Sequence, residues 1–151
     1  MTEINEQVLN RISLMVENIY MGTNIDRAKA LAYLNHVLPD PLYLVCLALF
    51  APVASTRKNA VLFTQRFSQV ETLAILHSVI NCDEDPYVCG IARMVLGNCL
   101  IKFDMRSYDY IMDVLSGLTE SNQQARQFAV IACGMIDEPK LMHQLYKIAL
   151  N

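Results

Sequence analysis

Two stretches of the chain align on each other without a gap. Val88-Cys89-Gly90-Ile91-Ala92, followed by Leu96-Gly97, matches Ala125-Arg126-Gln127-Phe128-Ala129, followed by Cys133-Gly134, an offset of 37. Thr56-Arg57-Lys58-Asn59-Ala60 and Asp26-Arg27-Ala28-Lys29-Ala30 carry the same Arg-x-x-Ala kernel, 32 and 30 residues ahead of the units that follow them. A unit of this length is one helix pair, which cannot bury its own apolar face and closes its core only by stacking on the next. The small alanine lets a neighbouring helix approach closely, and the glycine near the end of the unit is expected to permit a turn.

Helix punctuation agrees with this reading. Apolar residues recur at helical spacing from about Glu3 to Tyr20, and Gly22 supplies a stop; a second helix starts after Asn24, its cap, and continues to about Val37. Asp40-Pro41 reads as a cap and first turn for a helix to Ala51, and Ser55 or Thr56 caps another to Phe67. Ser68-Gln69-Val70-Glu71 is a capping-box pattern opening a helix to Asn81. Asp85-Pro86 opens one to Lys102, Ser107 one to Leu118, Ser121 one to Ile136, and Asp137 a last one to Leu150. Hairpin turns and sustained alternation are missing, so the expected class is all-α, with short connections making successive helices antiparallel neighbours.

Composition narrows the function. Apolar residues make up 54% and charged residues 18% of the 151, an apolar excess over ordinary globular chains that either fills a dry core or covers an interface. A net charge of −3 gives no general attraction to phosphate backbones, which argues against a nucleic-acid partner. The run from Pro41 to Ala54 holds 14 residues, short of the roughly 20 that cross a bilayer, so membrane insertion is not expected. Five cysteines without a CxxC pair, and an acidic N-terminus unlike an export signal, suggest a soluble, cytoplasmic protein with reduced thiols.

The two best-matched units resemble the HEAT family of helical repeats, whose second helix opens after an acidic loop with Val-Arg, then Ala, then Leu-Gly. Asp83-Glu84-Asp85-Pro86-Tyr87-Val88 leads to Ala92 and Leu96-Gly97, and Glu120-Ser121-Asn122 leads to Ala125-Arg126, Ala129 and Gly134. The resemblance covers roughly Ser68 to Ile136, and Cys89 stands where the family has arginine, which interrupts an arginine ladder. It implies a right-handed α-solenoid of about four antiparallel helix pairs (units 3–37, 41–67, 68–102 and 106–136) plus a capping helix at 138–150, with the second helices lining a concave binding surface. A rival likeness, to the tetratricopeptide type of bacterial secretion chaperone, rests on Gly22, Ala28, Ala32 and Leu38-Pro39.

Catalytic signatures are missing. His36, His77 and His143 lack a second ligand at four-residue spacing, the cysteines have no zinc pattern, and no phosphate loop or nucleophile elbow occurs. Asp83, Glu84 and Asp85 suit the positive end of a helix better than a catalytic pair. The expectation is therefore a non-enzymatic adaptor or chaperone without cofactor or metal, holding a helical or extended segment of another protein. Its contacts are expected on the second-helix face at Arg57, Arg93, Met94, Arg126, Gln127 and Ile131, an apolar patch flanked by polar groups. A structural homo-oligomer, which would use the apolar excess as a dimer interface, is an alternative; a HEAT-like DNA-binding or DNA-repair protein is a more remote one.

Overall fold

The computed structural model describes residues 2–67, 69–103 and 107–136, and among these every regular element is helical. The α-helices are α1 (Thr2–Met21), α2 (Asn24–Val37), α3 (Asp40–Ala48), α4 (Ala54–Phe63), α5 (Glu71–Cys82), α6 (Pro86–Lys102), α7 (Tyr108–Ser116) and α8 (Gln123–Met135), with 3₁₀ turns at Thr64–Arg66 and Gly117–Thr119. The expected helix at 138–150, and Ser68 of the expected capping box, lie outside the described residues. Among the described residues no helix is long and apolar enough to cross a membrane.

Local chemistry sets several boundaries differently from expectation. Thr23, not Asn24, caps α2 in a capping box: its Oγ1 accepts from Asp26 N at 3.2 Å and Asp26 Oδ2 accepts from Thr23 N at 3.1 Å. Asp85 caps α6 as expected, its Oδ1 accepting from Tyr87 N at 2.8 Å and Val88 N at 3.2 Å. Asn122, rather than Ser121, caps α8 by accepting from Ala125 N at 3.0 Å. The third helix stops at Ala48 instead of Ala51, tightening through Phe50 N→Leu47 O and Ala51 N→Ala48 O bonds before Pro52, which has no N–H to continue it.

The arginine kernel has a definite task. Arg57 Nη1 donates to the carbonyls of Ala51 (2.9 Å) and Pro52 (3.0 Å), and Arg126 Nη1 to those of Glu120 (2.7 Å) and Ser121 (3.0 Å). Both reach six and five residues back, tying the preceding loop to the second helix. Cys89, at the equivalent place in α6, sends its Sγ–H to Asp83 O at 3.1 Å, also six residues back. The thiol keeps the loop contact that the missing arginine would make. Arg27 departs from the pattern: its Nε donates to Ile19 O at 3.0 Å.

α6 is central, touched by α4, α5, α7 and α8, while α5 packs on α1 and α7. α3 packs on α2 and α4 and leaves the flank of α5 to α1. The helices share one buried apolar cluster running from Leu9 and Ile12 in α1 to Ala132 and Cys133 in α8. Gly97 does not make the expected turn; it lies inside α6, where an added Cβ would meet Ala132 Cβ at 3.0 Å and its Cα at 3.2 Å. Gly90, two turns earlier, would meet Phe128 Cδ2 at 2.9 Å and Ala125 Cα at 3.1 Å. Both glycines exist to let α6 and α8 touch backbone to backbone.

Candidate functional site

The amphipathic α1 turns Ile12, Val16 and Ile19 into the core, which leaves its neighbouring stripe along an open groove over α5, with α7 as the opposite wall. The groove has a volume of about 790 Å³. From α1 it receives Glu6, Leu9, Asn10, Ser13, Leu14 and Glu17; the far side supplies Val70, His77, Phe103, Tyr108, Asp109 and Tyr110. Leu14 is 52% exposed although it sits among apolar neighbours. Glu6, Glu17 and Asp109 are the acidic groups of the wall, and no Lys or Arg lines it among the described residues.

His77 anchors the groove's polar end. Its Nδ1 pairs with Asp113 Oδ2, while Asn81 Nδ2 donates to Asp113 Oδ1 at 3.1 Å and to His77 O at 2.7 Å. The Tyr110 ring stands edge-on to the imidazole, with centroids 5.8 Å apart. The bond to Asp113 raises the His77 pKa above its ordinary value against the opposing effect of burial, and Glu17 and Asp109 add to the rise. Burial first, then Asp113, Asp109 and Glu6, push the Tyr110 phenol up to about 12. Carboxylates thus stand on both the α1 and the α7 walls of the groove.

Ser13, the hydroxyl on the α1 wall, donates to Ala74 O at 3.1 Å. Burial pushes the Cys46 thiol up to about 12 and those of Cys82, Cys89, Cys99 and Cys133 to about 11, so they stay protonated near neutrality. Among the described residues no group of three or more His, Cys, Asp or Glu is placed to hold a metal ion.

The six residues expected on one surface divide between interior and exterior. Arg57 is only 6% exposed, and besides its loop carbonyls it grips Asp83 through Nε–Oδ2 at 2.9 Å and Nη2–Oδ1 at 3.2 Å. Tyr20 Oη donates to the same Asp83 Oδ2 at 3.0 Å, so α1, α4 and the α5–α6 loop meet on one carboxylate. Arg93 is 4% exposed: Nε donates to Asp113 O at 3.0 Å, and Nη2 lies 3.3 Å from Ser116 Oγ and 3.4 Å from Glu120 Oε1. Gly117 makes room for it, since a Cβ there would stand 2.5 Å from Arg93 Cδ. Neither arginine is available on the surface, because a helix-packing position encloses the stem and the neighbouring loop takes the guanidinium. Met94 and Arg126 are half-buried, while Gln127 and Ile131 are exposed on α8 beside Val130.

The groove itself was not visible in the sequence. Its walls come from α1, α5 and α7, far apart in the chain, and its acidic residues follow no spacing; the apolar but outward Leu14 is the one local trace. The chain matches no family model, no curated protein and no solved structure.

Proposed function

We propose that this chain is a non-enzymatic protein-binding module, an adaptor or chaperone of the HEAT-type solenoid class, that holds a segment of another protein in the groove between α1 and α7. The observation that carries the reading is the groove: an open trough of about 790 Å³ with Leu9, Leu14 and Val70 on its apolar side and without an activated nucleophile. The recurrent arginine or thiol contact to the carbonyl six residues back supports the repeat assignment.

Capture from nuclease-treated extract with three baits tests it. Wild type and Ile131→Glu are expected to retain one dominant protein, and Leu14→Glu to lose it. Loss at Ile131→Glu alone would move the site to the second-helix face, and absence of any partner would end the adaptor reading. Self-association is a second reading, favoured by Val130, Ile131 and Met135, which are 52%, 46% and 40% exposed along α8. Light scattering would then show a dimer that Ile131→Glu splits.

A further inference from the structure

We infer that the groove between α1 and α7 takes a basic amphipathic helix of a partner protein. This rests on the protein-binding reading above and names the class of partner. Among the described residues the walls are built from helices, so they offer no strand edge for an extended segment to join. An extended chain would lay its own N–H and C=O groups unpaired against Leu9, Leu14 and Val70, which is unfavourable. A helix satisfies its own backbone and presents only side chains.

Charge fixes the rest of the occupant. Glu6 and Glu17 stand at the two ends of the α1 wall, about 16 Å apart at the rise of an α-helix, and Asp109 faces them from α7. Asp113, behind His77, adds to the same field. No Lys or Arg lines the groove among the described residues to balance these carboxylates. A helix about three turns long, lying along α1 with leucine-like residues inward and Lys or Arg on its flanks, buries the apolar side and neutralises the rim. An acidic or uncharged helix of the same shape does only the first.

The test uses the full chain and a fluorescein-labelled peptide of about four turns, Leu on one face and Lys on the other, read by anisotropy. One control carries Glu in place of every Lys; the other keeps the composition but scatters the leucines around the helix. The basic amphipathic peptide is expected to bind at least about tenfold tighter than either control and to weaken as salt is raised. Glu17→Lys with Asp109→Lys is expected to lower its affinity roughly tenfold, as loss and reversal of rim charges should. Leu14→Glu is expected to abolish binding, and an unchanged thermal melt confirms that its fold is kept.

Equal binding of either control, or a charge-reversed protein that binds like wild type, overturns the inference. If no peptide binds while Leu14→Glu still loses the partner captured from extract, the partner class is overturned and the protein-binding reading stands. If capture also ignores Leu14→Glu, both fall. A concentration-dependent dimer that the peptide dissolves assigns the groove to a second copy of the chain and overturns the partner-protein occupant.

Discussion

The seam between α6 and α8 and the seam between α1 and α5 both bring helix backbones close, by opposite means. At the first, Gly90 lies against Ala125 and Phe128, and Gly97 against Ala132. At the second, two serines cross the interface reciprocally: Ser13 Oγ donates to Ala74 O at 3.1 Å, and Ser78 Oγ donates to Ser13 O at 2.8 Å. The same seam ends on Asp83, shared by Tyr20 and Arg57. Glycine and alanine allow approach but specify little, since a smooth surface can slide. Serine bonds to backbone carbonyls define a register. The serine seam lies where α1 packs on α5, so a contact between helices far apart in the chain carries the directional bonds.

Breaking the polar seam should have the largest effect. Asp83→Ala leaves the Arg57 guanidinium buried without its carboxylate, and urea unfolding should show a loss of about 3–5 kcal/mol. Gly97→Val should cost about 1–3 kcal/mol by forcing a branched side chain into Ala132. A cost for Gly97→Val above that of Asp83→Ala would reverse the ranking of the seams. Ser78→Ala removes one bond and leaves Ser13 O its ordinary helical partner, so about 1 kcal/mol should be lost.

Gly134 sharpens the contrast. It stands 37 residues after Gly97, yet a Cβ there would meet nothing within 4 Å among the described residues. Gly134→Ala should therefore stabilise α8 by up to about 1 kcal/mol, the reverse of any substitution at Gly97, as a thermal melt would reveal. The smallest effect is pH-dependent. Because His77 has a raised pKa, its pairing with Asp113 contributes fully below the unfolded value near 6.5 and fades as pH rises through the folded value. The melting temperature should drop across that window, and Asp113→Asn should flatten the drop; an unchanged slope in the variant would remove the pair as its source.

Periodicity and caps alone made the helices legible: Asp85-Pro86 opens α6 where expected, and Leu34, Leu73 and Leu96 are buried because helical spacing puts them on one face. The recurring kernel also marked Ala92 and Ala129 as close-packing positions, since small residues at a fixed offset are a local signal, whereas Gly97, expected at a turn, packs inside α6 against Ala132. Boundaries were less legible. Ala51 leaves the third helix because Arg57, six residues later, draws its carbonyl away, a contact that no window within the helix contains.

Surface and interior could not be separated by sequence for the long cations. Arg57 and Arg93 look like solvent-facing groups until the loops that enclose them are in place, since a buried guanidinium is possible only where carboxylates and carbonyls converge on it. The sequence determined a helical chain with capped helix starts and small residues recurring at a fixed offset, because those are properties of neighbours along the chain. Only tertiary structure decided that α1 would pair with α5, that two expected contact residues would become interior struts, and that Leu14, His77 and Asp109 would share a groove, because each depends on residues tens of positions apart being brought within a few ångströms.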